Sequence, residues 1–225
     1  MKNVKKFFST LSLHNNPNGN EAVTYELDDS CGEMISDFET RNPIMPFIRS
    51  NVEPGENIEI YLIACVGDGK IKGKVGTYSA DKVMEIHKQC YEEELEEIKG
   101  AVGGFNCKLE IIEMKGFSNS SHHKLMKEIV SKINDSDIVY MDITFGFKTV
   151  SVTQFLALTY AYKIRQGVEI GAMSYGSHYG PMEDHLYNLT EFFLFNNTMN
   201  NMADVPQSGQ FVDLLLDNMI GEDEQ

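Results

Sequence analysis

The alternation of apolar and polar positions changes period repeatedly along this chain. Residues 5–13 (KKFFSTLSL) predict a first strand that breaks into a polar, turn-rich stretch at residues 14–20. Residues 22–27 (AVTYEL) alternate and predict a second short strand, paired with the first as a hairpin across that long loop. A short helix is expected over residues 43–49. Residues 57–66 (NIEIYLIACV) are rich in β-branched side chains and bounded by Pro54-Gly55 and Gly67-Asp68-Gly69, so they predict a strand buried on both faces.

Ser79 is placed to cap a helix running from Ala80 to about Ala101, with Val83, Ile86, Cys90 and Ile98 facing inward. Glu92, Glu93, Glu94, Glu96 and Glu97 are read as its solvated face, and Gly103-Gly104 ends it. Strands follow over residues 108–114, 138–143 and 168–174, with helices over 121–133 and 149–165 between them. Two helical stretches, 189–202 and 211–220, precede an acidic tail.

From residue 57 onward the order is strand, helix, strand, helix, strand, helix, strand. Each helix must cross over the sheet to return the chain parallel, so the expected fold is α/β: a Rossmann-like, mostly parallel sheet with helices on both faces. The expected division is an α/β domain over residues 1–180 and a helical extension over 181–225. In such sheets ligands sit beyond the carboxyl ends of the strands, where strand order reverses. That rule selects the loops after Thr10, Asp142 and Ser174.

Composition narrows the function. Nineteen Lys and Arg against 34 Asp and Glu leave a formal charge of −15, poorly suited to gripping long nucleic acid. A small anion remains suitable, because helix N-termini supply local positive potential whatever the net charge. Cys31, Cys65, Cys90 and Cys107 show no CxxC pair and read as reduced thiols in a cytoplasmic setting. The N-terminus is too quickly polar for a signal peptide, and no apolar run is long enough to span a bilayer.

The segment Asp142-Ile143-Thr144-Phe145-Gly146-Phe147-Lys148-Thr149 closes a strand and opens a helix. Thr144 offers a hydroxyl, Gly146 permits close backbone approach, and Lys148 brings a charge to the amides of a helix N-terminus: the parts of an anion cradle. A plain strand-to-helix turn capped by threonine is the alternative. Ser9, Thr10 and Ser12 make the first strand's exit hydroxyl-rich, either as ligand contacts or as outward positions of an alternating strand. Tyr175, beside Gly176 and Ser177, either stacks on a base or joins the core.

The stretch DITFGFKTVSVTQFLALTYAYKIRQGVEIGAMSYGS, residues 142–177, resembles the CRISPR-associated Rossmann-fold (CARF) family, in the branch with a D-[IL]-T-x-[GS]-[FY]-[RK] motif before a long apolar helix. Residues 6–12, 23–27 and 189–193 are similar to the opening strands and to the trailing apolar-acidic helix of that branch. The resemblance implies a homodimer whose paired carboxyl-end loops bind a cyclic tetra- or hexa-adenylate messenger of type III CRISPR defence. It assigns ligand contacts to Ser9, Thr10, Leu11 and Ser12, to Thr144, Phe145, Gly146, Phe147 and Lys148, and to Tyr175, Gly176 and Ser177. It implies no cofactor and no metal. The helix over residues 149–165 is apolar nearly all round, so it is expected to be covered by the sheet and by a second subunit, or else by the C-terminal helices.

Family effectors carry a nuclease output with an R-x4-6-H motif, which this chain lacks: Arg165 lies inside the sensor and His178 too far beyond it. An output region past residue 225 and a stand-alone sensor both remain open. So does a ring nuclease, in which Lys148 and Thr144 would be catalytic, and so does a flavodoxin-like regulatory protein whose likeness to the family is superficial. His122-His123 is read as a helix-start cap, and His178, Asp184 and His185 lack a further ligand at metal-site spacing.

Overall fold

The computed structural model describes residues 3–14, 18–72, 76–177 and 184–202. In chain order the elements are β1 (Lys5–Thr10), β2 (Glu26–Leu27), a 3-10 turn (Asp29–Cys31), α1 (Met45–Asn51), β3 (Asn57–Gly67), β4 (Lys70–Lys72), β5 (Thr77–Ser79), α2 (Ala80–Val102), β6 (Asn106–Lys115), α3 (Asn119–Lys132), β7 (Ile138–Asp142), α4 (Lys148–Ile164), β8 (Glu169–Ser177), β9 (His185–Asn188) and α5 (Thr190–Met202). Seven strands form one sheet in the order β2-β9-β8-β7-β1-β3-β6, and β4 and β5 form a separate hairpin. The five strands from β8 to β6 are mutually parallel, and β9 runs antiparallel to β8. The fold is therefore α/β and Rossmann-like. Residues up to Leu189 form one compact unit and those from Thr190 a second.

β1 occupies the middle of the parallel set, between β3 and β7. Its two phenylalanines point to opposite faces, as strand alternation requires. Phe7 stacks on Tyr140 at 4.5 Å between ring centroids, and Phe8 stacks on Tyr61 at 4.9 Å. The Phe7 face packs Ile60, Leu62, Met45, Val83, Tyr91 and Leu95 into one core beneath α1 and α2. Opposite, α3 and α4 lie side by side and bury Leu125, Ile129, Val150, Ala157 and Leu158. β3 is apolar through nearly its whole length because helices cover both its faces.

Three expectations change. The strand of residues 22–27 shrinks to Glu26–Leu27 and makes no hairpin with β1; it pairs in parallel with β9 at the far edge. Alternation identifies a strand but not its partner, and the central strand's neighbours were already supplied by β3 and β7. Ser79 stands at the N-cap of α2 without a side-chain capping bond. Glu94 is buried, not solvated: its carboxylate accepts from Thr40 Oγ1 at 2.8 Å, Arg41 N at 2.7 Å and Asn42 Nδ2 at 3.1 Å. It fastens the loop before α1 to α2, one turn after buried Tyr91. The stretch expected as a helix over residues 211–220 lies outside the described residues. No helix among those described is long and apolar enough to cross a membrane.

Candidate functional site

Strand order reverses between β1 and β7: β3 and β6 extend the sheet on one side, β8 on the other. The carboxyl ends of β1 and β7 thus open a crevice between crossovers of opposite direction, where ligands of this architecture sit. Thr10 and Asp142 flank it.

Asp142 is the buried hub below this crevice. Its Oδ2 accepts from Ser9 Oγ at 2.9 Å, and its Oδ1 accepts from Thr144 N at 3.2 Å and from the Thr144 hydroxyl. Thr144 Oγ1 in turn accepts the Gly176 N–H at 2.7 Å. Gln154 spans α4 and both strands, its Nε2 donating to the Asp142 carbonyl at 3.1 Å and its Oε1 accepting from Thr10 Oγ1 at 3.1 Å. Burial pushes the Asp142 carboxyl up to about 6, although the hydrogen bonds from Thr144 and Ser9 oppose the shift. Ser9, Thr10 and Thr144 therefore have their hydroxyls engaged inside the protein. They hold the crevice in shape.

Above the hub the loop pinches inward. Gly146 has φ +95°, and a Cβ there would stand 2.7 Å from Thr10 Cγ2. Only glycine fits both the left-handed backbone and the close approach. Phe147 is then the N-cap of α4, with no side-chain cap; the Val150 amide donates to its carbonyl at 2.7 Å, and Lys148 stands exposed at the first helical position, at the positive end of the helix dipole.

Consecutive residues of this turn line two concavities, Phe147 one and Lys148 the other. The first, about 80 Å3, is lined by Leu11, Ser12, Leu13, His14, Cys65, Gly146 and Phe147. Ser12 is 3 % exposed, and its Oγ is buried without a hydrogen-bond partner. Ser12, a residue of the pocket wall, thus carries an unsatisfied, buried hydroxyl. His14 Nε2 lies 2.9 Å from the Cys65 carbonyl, which can only accept, so that nitrogen carries a proton and Nδ1 is the acceptor of the neutral ring. The His14 ring meets Phe147 edge-on at 5.0 Å, and Phe147 meets Phe117 at 4.6 Å. Both phenylalanines are over two-fifths exposed, an aromatic rim that suits a flat heterocycle. Cys65 is no nucleophile: burial pushes its thiol up to about 12.

The second concavity, about 320 Å3 and broadly open, is lined by Asn119, His122, Lys148, Thr149, Val152 and Thr153. The helix-start cap is Ser118, whose hydroxyl accepts from Ser121 N at 3.2 Å, and not His122 as expected. His122 Nδ1 donates to the Ser118 carbonyl at 2.8 Å, and its Nε2, buried without a partner, belongs to a residue that shares this lining with Lys148. This half offers cationic and hydrogen-bonding groups; the first offers aromatic rims and an orphan hydroxyl.

The expected site residues therefore separate by role. Leu11, Ser12, Gly146, Phe147 and Lys148 line open space, whereas Ser9, Thr10 and Thr144 lie in the network below, and Phe145 is half-buried in the loop between. Tyr175, Gly176 and Ser177 continue β8 and pair with β9, so the strand runs three residues beyond its expected end. Tyr175 is 37 % exposed and stacks on Tyr187. Gly176 is packed by Pro43 and Tyr25, with no room for a Cβ. His14, Phe117 and His122 were not singled out as ligand contacts from sequence. For His14 the available signal was its place two residues past Ser12 on the same strand exit. His178 lies outside the described residues. Neither known protein-family models nor curated proteins give a match to this chain.

Proposed function

We propose that the chain is a CARF-type sensor that binds a cyclic oligoadenylate, as a homodimer, in the cytoplasmic setting of type III CRISPR defence. The observation that carries this reading is the two-part crevice at the β1–β7 switch point. A nucleotide has a flat heterocycle and a phosphate, and consecutive residues of one turn line the aromatic-rimmed Ser12–His14 pocket and the cationic Lys148 depression. A ligand filling both halves is longer than a bare anion or a bare base. A ring of identical nucleotides presents the same pair of groups to each copy of a two-fold dimer. Its phosphates are matched to Lys148 and to the positive end of the α4 dipole.

A second reading, ring cleavage, is favoured by His122, whose unpartnered Nε2 belongs to the same lining as Lys148. In that chemistry a ribose 2′-oxygen attacks the adjacent phosphorus, the bond from phosphorus to the 5′-oxygen breaks, and the 2′ proton passes to the departing oxygen. Lys148 would stabilise charge on the phosphoryl oxygens and His122 would carry the proton. Thr144 would act by holding the loop.

Titration calorimetry with cyclic tetra- and hexa-adenylate tests binding: heat with one ring supports the sensor, and no heat with either returns the chain to a general α/β regulatory protein. Chromatography of the ring after hours with excess protein then separates receptor from enzyme. Linear fragments, lost in Lys148→Ala, identify cleavage.

A further inference from the structure

Gly176 sits in a socket. A Cβ on it would stand 2.9 Å from Pro43 Cγ and 3.1 Å from both Pro43 Cβ and Tyr25 Cε1, so these two side chains close on its backbone. The same residue donates its amide to Thr144 Oγ1 at 2.7 Å, and Thr144 opens the turn that carries Gly146 and Lys148. Close-packed contacts transmit displacement, so a shift of the socket reaches the turn.

Both walls of the socket trace back to one node. Pro43 follows Asn42, and Tyr25 lies two residues beyond Val23, which exchanges backbone hydrogen bonds with Thr40 at 2.8 and 3.0 Å. The side chains of Thr40 and Asn42 donate to Glu94 Oε2 at 2.8 and 3.1 Å, and the Arg41 amide donates to Oε1 at 2.7 Å. Three consecutive residues, in a stretch outside any named helix or strand, are thus held by one buried carboxylate of α2. Hydrogen bonds to an ionised acceptor are the stronger kind, and a buried one is costly to leave unmade. Glu94 belongs to the helix on the Phe7 face of the sheet, whereas Lys148 starts the helix on the opposite face.

We infer that Glu94 is a positioning residue for the Lys148 turn: through Thr40 and Asn42, the Pro43–Tyr25 socket and the Gly176 amide it fixes Thr144, and so couples the crevice to the α2 side of the sheet. The identity of the ligand rests on the proposed sensor reading; the coupling does not.

Residue-resolved amide hydrogen exchange of the full chain tests it without a ligand. Glu94→Gln puts a donating NH2 where an oxygen accepted, and it is expected to speed exchange at Gly176 about tenfold while amides of β1 and β3 keep their rates. Thr40→Val is expected to act in the same way, whereas Thr40→Ser, which keeps the hydroxyl, and Glu93→Gln, on the exposed side of α2, leave Gly176 unchanged. With Thr144→Val already in place, Glu94→Gln should speed Gly176 by less than about twofold, because the relay is cut downstream. Should Glu94→Gln fail to fold, the two Thr40 variants decide.

Unchanged exchange at Gly176, or a uniform rise across β1, β3 and Gly176 that assigns Glu94 to the fold alone, overturns the inference. Coupling is reciprocal, so a bound cyclic tetra- or hexa-adenylate is expected to slow exchange at Thr40 and Arg41 about fivefold. A ring that binds and leaves both amides untouched also overturns it. If the variants behave as expected and neither ring binds, the coupling stands and the ligand assignment fails.

Discussion

Gly146 and Thr10, 136 positions apart in the chain, are so closely opposed that a methyl group on the glycine would stand 2.7 Å from Thr10 Cγ2. Thr10 cannot easily retreat, because its hydroxyl is bound to Gln154 and the residue is 1 % exposed. Gly146→Ala is therefore expected to cost about 2–4 kcal/mol, from the positive φ and the overpacking together. Adding Thr10→Ser removes the clashing methyl and keeps the hydroxyl. The double variant should recover the steric part and leave the backbone part, a coupling measurable by urea unfolding of all four proteins.

Asp142 gives the chain an inverted acid response. Its carboxyl is raised to about 6 in the folded state by burial, against about 3.9 for a free aspartate, so between those values the folded chain holds a proton that the unfolded chain has lost. This contribution to stability is complete below about pH 4, declines as pH rises through about 6, and is absent above. Asp142→Asn should flatten that slope, with a gain of about 2–3 kcal/mol at pH 7 relative to pH 4. Unfolding midpoints at several pH values between 4 and 8 check it. Parallel slopes in both proteins would rule the idea out.

Lys6 is 2 % exposed, with its ammonium 3.0 Å from Asp137 and 3.2 Å from Glu59 and donating also to the Lys132 carbonyl. Replacing it with methionine strands a buried carboxylate at Asp137. The expected loss is about 3–5 kcal/mol, partly restored by Asp137→Asn in the same chain. Denaturant titration at neutral pH distinguishes this from the small effect of a surface lysine.

Ser12→Ala separates stability from binding. The hydroxyl has no partner in the folded protein, so its removal should leave stability unchanged or raise it by about 1 kcal/mol. Ring binding should weaken about tenfold, the usual effect of losing one hydrogen bond to a ligand. Loss of stability together with unchanged affinity would assign Ser12 to the fold.

Apart from the β4–β5 hairpin, whose three-residue strands are too short to show a period, the segment from β3 to β8 was readable because each strand and helix there carries its own period, and right-handed crossovers leave few ways to assemble them. Pairing was less legible. Residues 22–27 alternate correctly, yet Val23 bridges Thr40 and only Glu26 and Leu27 join the sheet, on β9, a four-residue strand too short to announce itself. Glu94 was hidden in a run of glutamates, although it falls three residues after Tyr91 on the inward stripe, and its partners lie in a loop 52–54 positions away. At the site, the motif around Lys148 could be found from sequence. Its division into an aromatic pocket and a cationic depression could not, because Phe117, His14 and Phe147 meet only through the register of different strands.

The central position of β1 has a consequence for synthesis. Lys5 aligns with Ile58 on one side and with Ile138 on the other, so β1, made before both of its neighbours, is flanked on its second side only once β7 has followed. The chain must emerge as far as Asp142 before the middle of the sheet is complete. Until then Phe7 and Phe8 have lost one wall of their enclosure, and the nascent chain depends on chaperones or speed to keep them from other contacts.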